Sequence, residues 1–155
     1  MTERGSFFQR GGSWLAAQGP LMAAVVAVPP YFGTLADWPV RILGGALIAL
    51  AAAFFAWSKR GLGKSFTAFP QPVDEGTLST SGAYALARHP IYTSLIMFAA
   101  GWAIFWQSLA GAVCALILFA FFDLKSRREE AWLEEKYPGY ADYRARVKRF
   151  FPFVY

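Results

Sequence analysis

IYTSLIMFAAGWAIFW, residues 91–106, and LAGAVCALILFAFF, residues 109–122, are separated only by Gln107 and Ser108. Both runs are apolar almost throughout, so each reads as a helix with no solvent face, and the two-residue link folds them into a helical hairpin. A hairpin this tight brings both of its outer ends to the same side. Each run is shorter than the roughly 20 residues that a bilayer core requires, so polar ends must extend the helices or the membrane must thin locally.

Immediately before the hairpin stands SGAYALARHPIY, residues 81–92, which carries the only histidine of the chain, His89. A residue before proline is pushed out of the α region, which puts His89 in extended backbone and Pro90 in the first helical turn. Tyr84 and Tyr92 flank the imidazole at the mouth of the helix. Upstream, Gly61 to Gly82 is the longest polar connection, and a long loop leading into such a cluster favours function. Before it lie a Gly/Ala-rich run over Val40 to Ser58, suited to close helix approach, and an apolar run from Trp14 to Val28 that ends at Pro29-Pro30. No A-x-A-like cleavage site precedes that proline pair, so this run reads as a membrane helix, with a bend conceivable at Gly19-Pro20.

Composition agrees with this reading. A chain of 155 residues that is 56% hydrophobic and 16% charged is too apolar for an ordinary soluble domain. The expected fold is all-α and polytopic: one domain with spans of about 14–33, 40–58, 91–106 and 108–123, a site loop over 59–90 and an amphipathic tail over 124–155. Of the 15 lysines and arginines, all but Arg41 fall on one side of that four-span layout. By the positive-inside rule both ends of the chain and the central loop are cytoplasmic, as in a bacterial inner membrane. The net charge of +5 then reflects topology and contact with the lipid bilayer, with no reason to invoke nucleic acid. One histidine and one cysteine, His89 and Cys114, make neither a usual zinc site nor a Cys/His pair, so no metal is expected. No phosphate-binding glycine loop is present.

The tail changes character at Asp123. RREEAWLEEKY has helical spacing, with Glu129 and Leu133 one turn apart, and Pro138-Gly139 breaks it. Tyr140, Tyr143 and Val147 suggest a second short helix at headgroup level, with Phe150, Phe151, Pro152 and Phe153 as an anchor.

Taken together, TSGAYALARHPIYTS followed by REEAWLEEKYPGYADYRARV resembles the membrane methyltransferases of the isoprenylcysteine carboxyl methyltransferase and phospholipid methyltransferase superfamily. Their signature is RHPxY, two spans, an acidic pair and a tyrosine-rich tail; the likeness covers about Thr77 to Pro152. The resemblance implies S-adenosyl-L-methionine as methyl donor, bound on the cytoplasmic side, and a lipid-like or small hydrophobic acceptor. Carried over by position, Gly76, Thr77, Leu78 and Ser79 contact the donor through backbone groups. Tyr84 and the run His89, Pro90, Ile91 and Tyr92 enclose its adenosine and methionine parts, and Glu129 takes its ammonium. Lys125 matches a substrate-facing cation that is arginine in the prenylcysteine branch, and Arg128 is a second candidate for that role, because an ammonium does not reproduce a guanidinium fork. Ala83 stands where the family often has proline, and Ser94 where it often has glycine. The alternative class is a non-catalytic membrane protein, a small transporter or assembly subunit on the same scaffold; the spans lack the ionisable residues expected along a transport path.

Overall fold

The structure, a computed structural model, describes residues 7–8, 11–72 and 76–152. Arg4, Arg10, Asp74, Glu75 and Phe153 lie outside the described residues. The helices are α1 (Gly12–Phe32), α2 (Trp38–Leu62), α3 (Pro90–Phe105), α4 (Leu109–Lys136) and α5 (Tyr140–Arg146). Short 3-10 turns cover Gly63–Ser65 and Gly82–Ala85. The fold is all-α, with no strand among the described residues, and it is that of a polytopic membrane protein.

With 21, 25 and 28 residues, α1, α2 and α4 are long and apolar enough to cross a membrane. The 16 residues of α3 rise only about 24 Å, against a hydrocarbon core of about 30 Å. The helix α1 runs without interruption through Pro20, Pro29 and Pro30. Proline is tolerated in this way in membrane helices, where neighbouring helices and local adjustments satisfy the freed carbonyls.

The hairpin forms where the sequence put it. Gln107 takes a positive φ of 50°, and the Ser108 hydroxyl caps α4 by accepting from the Gly111 N–H at 3.1 Å. Gln107 also ties the hairpin to the α1–α2 turn, donating to the Asp37 carbonyl at 2.9 Å and accepting from the Asp37 N–H at 3.1 Å. Both turns are thereby fixed at one end of the bundle, and the site lies at the other. The helices α2 and α3 meet through glycines: a side-chain carbon built on Gly101 would stand 3.1 Å from the Gly44 carbonyl oxygen, and one on Gly44 would collide with the backbone of Phe105. The other long contacts run between α3 and α4 and between α1 and α4.

Two features differ from the expectation. The helix that carries the last apolar run does not stop near residue 123 but continues to Lys136. No glycine or proline interrupts residues 123–136, and an Asp123–Arg127 pair at 2.9 Å supports the first turn beyond the apolar run. The tail also packs on the bundle more closely than the sequence reading anticipated. The Arg88 and His89 N–H groups donate to the carbonyls of Lys148 and Arg149 at 2.9 and 3.0 Å, so the segment after α5 runs alongside the entrance to α3. Phe150, expected as a lipid anchor, is fully buried with Phe122, Ile96 and Leu118.

Candidate functional site

Pro90 takes the position the sequence requires, and His89 leaves the α region as expected but does not reach extended backbone. His89 precedes α3 with φ −122° and ψ 60°, and Pro90 opens the helix. The imidazole is held by stacking as well as by backbone. Its ring lies parallel to Tyr92 at 5.4 Å between centroids, and Tyr92 in turn stacks on Phe122 at 4.5 Å.

The uninterrupted α4 supplies the opposite wall. Lys125, Glu129 and Leu133 follow at four-residue intervals, so they form one stripe of the helix, Tyr137 follows at its C-terminal end, and all four line a single cavity of about 310 Å³. That volume falls in the range of small-molecule sites, roughly 300 to 1,000 Å³. The Tyr92 hydroxyl donates to Glu129 at 2.8 Å, and His89 Nδ1 lies 3.7 Å from the same carboxylate. Glu129 and His89, 40 positions apart in the chain, thus stand side by side at the cavity.

Glu130 does not line the cavity. It receives Arg88 at 2.9 Å, His89 Nε2 at 3.1 Å and Arg149 at 3.1 Å, with only 4% of its side chain exposed. Arg149 also reaches Asp123 at 2.7 Å, so the tail, the histidine stretch and α4 are joined through one carboxylate. Burial on its own would lower the Arg149 pKa, but the hydrogen bonds and charges of Glu130 and Asp123 raise it.

Lys125 is 1% exposed, and its ammonium donates to Gln18 Oε1 at 2.6 Å and to the Ala68 carbonyl at 3.1 Å. It also stands 5.3 Å from the face of Tyr92. The roof of the cavity comes from the loop and the tail. The Tyr137 hydroxyl donates to the Gly76 carbonyl at 2.7 Å, and the Tyr143 hydroxyl donates to the Tyr84 carbonyl at 2.6 Å. Burial raises the pKa of the Tyr84 phenol far above its ordinary value, and the charge of Glu129 adds to this. Burial does the same for Tyr143, so both phenols remain neutral hydrogen-bonding groups.

Of the residues singled out from sequence, Thr77, Leu78, Ser79, Tyr84, His89, Ile91, Tyr92, Lys125 and Glu129 line this one cavity. Gly76, Pro90 and Arg128 are not among its lining residues. Gly76 acts from behind, through its carbonyl bond to Tyr137, and Pro90 is buried at the helix start. Arg128 is exposed, with its guanidinium 4.7 Å from the Trp132 ring, because it lies off the Lys125–Glu129 stripe. The backbone of Thr77 is engaged within the chain, since its N–H donates to Ser65 Oγ at 3.1 Å.

Several lining residues were not singled out. Leu133 and Tyr137 could have been found by extending the four-residue register from Glu129. Tyr140 and Tyr143, read from the sequence as part of an amphipathic helix, are buried under the roof. Gln18 carried a signal too, as an uncharged polar side chain inside an otherwise apolar span.

Comparison with known proteins gives a consistent assignment. The family model described as phospholipid methyltransferase matches residues 39–139, about two thirds of the chain. A cobalt-zinc-cadmium resistance protein, CzcN, of Cupriavidus metallidurans is 38% identical over 77 residues, which cover 49% of this chain and 36% of that protein. The protein-S-isoprenylcysteine O-methyltransferases of Mus musculus and Rattus norvegicus are each 35% identical over 83 residues, covering 52% of this chain and 29% of theirs. The chain thus spans about a third of the length of the relatives it matches. On the extent of the family match, this chain belongs to the phospholipid methyltransferase family.

Proposed function

We propose that this chain is an integral membrane methyltransferase that uses S-adenosyl-L-methionine and methylates a lipid-like or small hydrophobic acceptor at oxygen, nitrogen or sulfur. The observation that carries this reading is the placement of the Glu129 carboxylate beside the His89–Tyr92 stack, in a cavity that also takes in apolar side chains from the spans. The lining suits such a donor. Glu129 offers a carboxylate to an ammonium, with the other side of the helix keeping Glu130 occupied. Tyr84 offers an aromatic ring to a sulfonium, and Leu78 and Leu133 offer apolar contact to a nucleoside.

When bound, S-adenosylmethionine supplies a methyl group on positively charged sulfur, and transfer breaks the carbon–sulfur bond as the acceptor atom attacks in line. The side chains of this protein contribute position and dryness. Glu129, fixed by the Tyr92 hydroxyl, holds the amino-acid arm, and the stacked rings limit its rotation. Since charge is lost from the donor on the way to the transition state, a site with little water favours the reaction.

The acceptor comes from the bilayer and meets the donor at the Lys125 side of the cavity, where Met22 of α1 and Leu95 of α3 provide apolar wall. The Lys125 ammonium donates to two neutral oxygens, those of Gln18 and of the Ala68 carbonyl, which favours an acceptor bearing negative charge, such as a carboxylate. All of the chain forms one domain with four spans, α3 included. By the distribution of lysine and arginine, the site and both ends of the chain lie on the cytoplasmic side of a bacterial inner membrane.

The test is incubation of the purified chain with methyl-labelled donor and fractionated membrane extract. Label is expected in one lipid or small-molecule fraction and is expected to be lost with Glu129→Ala. A folded chain that labels no fraction and binds no donor contradicts the assignment and favours a non-catalytic member of the scaffold.

A further inference from the structure

Gln18 is the only polar side chain of α1 between Trp14 and Val28, and it stands ahead of residues 39–139, which the family match covers. A polar group kept inside an otherwise apolar span is costly unless it serves the interior of the bundle. Gln18 and Met22, one turn apart on α1, both line the cavity that contains Glu129. The amide oxygen of Gln18, Oε1, accepts from the Lys125 ammonium at 2.6 Å. An ammonium only donates, so the oxygen has to face Lys125 and the amide nitrogen has to point elsewhere. That nitrogen, Nε2, has no hydrogen-bond partner among the described residues, yet it is not closed off. The buried side-chain atoms left without a partner are Arg41 Nε, Trp106 Nε1 and Tyr140 Oη, and Nε2 of the half-buried Gln18 is not one of these. It is an open donor on a side chain that its neighbour holds in place.

The surroundings decide what this donor takes. An amide N–H calls for oxygen, and the Lys125 charge directly behind it favours an oxygen that is anionic. Lys125 lies one turn before Glu129 on α4, so the place is next to the carboxylate proposed for the methyl donor's ammonium and separate from it. Beside Gln18 the wall is apolar, with Met22 of α1 and Leu95 of α3. An oxygen-bearing head on an apolar chain matches this order of groups, and a nucleoside does not. We infer that the Gln18 amide donates from Nε2 to an oxygen of the acceptor's carboxylate and so selects acidic amphiphiles as methyl acceptors, with Lys125 as the positioning residue that turns the amide toward them. This rests on the methyltransferase reading of the preceding subsection. A carboxylate loses its negative charge as its oxygen takes the methyl group, so a hydrogen bond to it is stronger before transfer than during it. Gln18 therefore acts on acceptor binding and not on the rate of the chemical step.

The experiment measures transfer of labelled methyl from S-adenosylmethionine to decanoate by the purified full chain in lipid nanodiscs, with donor affinity read by calorimetry on the same preparations. Two variants separate recognition from folding. Gln18→Leu removes the amide, and Gln18→Glu keeps an oxygen for Lys125 while placing a negative charge where the acceptor's own carboxylate binds. The KM for decanoate is expected to rise at least about tenfold in both, as for the loss of a hydrogen bond to a charged group, while kcat and the donor Kd each change by less than about threefold. A decanoate KM in Gln18→Glu within about twofold of wild type means that Gln18 serves only to hold Lys125, and it overturns the inference. A parallel loss of donor affinity, or no transfer to decanoate by a wild-type chain that binds S-adenosylmethionine, also overturns it while leaving the donor reading in place. Failure of the wild-type chain to bind S-adenosylmethionine overturns both.

Discussion

Glu129 and Glu130 are neighbours in sequence and leave α4 in different directions: Glu129 accepts from Tyr92 in the cavity, and Glu130, which does not line it, is enclosed by Arg88, His89 and Arg149. Consecutive residues on a helix stand about 100° apart, so an acidic pair can serve two purposes only where both faces are covered. Here the spans and loop cover one face and the returning tail covers the other. His89 lies between them, with one ring nitrogen toward each carboxylate.

Glu130 has a structural role, and its removal should register as lost stability. Glu130→Gln leaves the Arg88 guanidinium without its carboxylate in a nearly closed site and takes one of two carboxylates from Arg149. The expected cost is about 3 kcal/mol or more, read as a lower midpoint in thermal unfolding in detergent, with the tail released. A midpoint equal to wild type would show that the tail is held by other contacts.

Tyr92 should affect binding more than folding. Tyr92→Phe keeps the stacking with His89 and Phe122 and removes only the donor to Glu129. A hydrogen bond to a charged group contributes about 1.5 to 3 kcal/mol, so donor affinity is expected to fall about tenfold. Calorimetry checks this, and the unfolding midpoint should move little.

Lys125 separates donor from acceptor. If its ammonium faces the acceptor, Lys125→Met lowers kcat/KM for the acceptor by at least about tenfold, while the donor Kd changes by less than about threefold. Steady-state kinetics with the acceptor varied, alongside donor titration, gives both values. Equal losses in the two would place Lys125 in the donor site.

The α2–α3 contact depends on the absence of side chains. Gly44→Val would drive a branched group into the backbone around Phe105 and is expected to destabilise by about 1 to 3 kcal/mol. Gly45, one residue on, has open space around a built side-chain carbon, so Gly45→Ala should leave the unfolding midpoint unchanged.

Much of this arrangement could be read from the chain before its structure. The Gln107-Ser108 break fixed the hairpin, the proline after His89 fixed the direction of the histidine, and Glu129 was singled out together with Lys125. What was not legible follows from geometry that composition does not carry. The charged stretch after Asp123 looks like a change of element, yet backbone hydrogen bonds continue through it, and the change is only in which faces are wet. Phe150 belongs to a run that reads equally well as a lipid anchor or as core, and the pairing of Arg149 with Glu130 and Asp123 decides for core. The separate role of Glu130 needed the tail in place, since its partners come from positions 88, 89 and 149. Arg128 failed to reach the cavity for the same helical reason that Glu129 succeeded.

Equilibrium binding of S-adenosylmethionine to the purified chain and to Glu129→Gln is the most direct measurement. The wild-type chain is expected to bind, and the variant to bind at least about tenfold more weakly at a nearly unchanged unfolding midpoint, because glutamine keeps an acceptor for the Tyr92 hydroxyl and removes the charge that the ligand needs. Equal affinity in the two proteins, or no binding by the wild-type chain, would contradict the account.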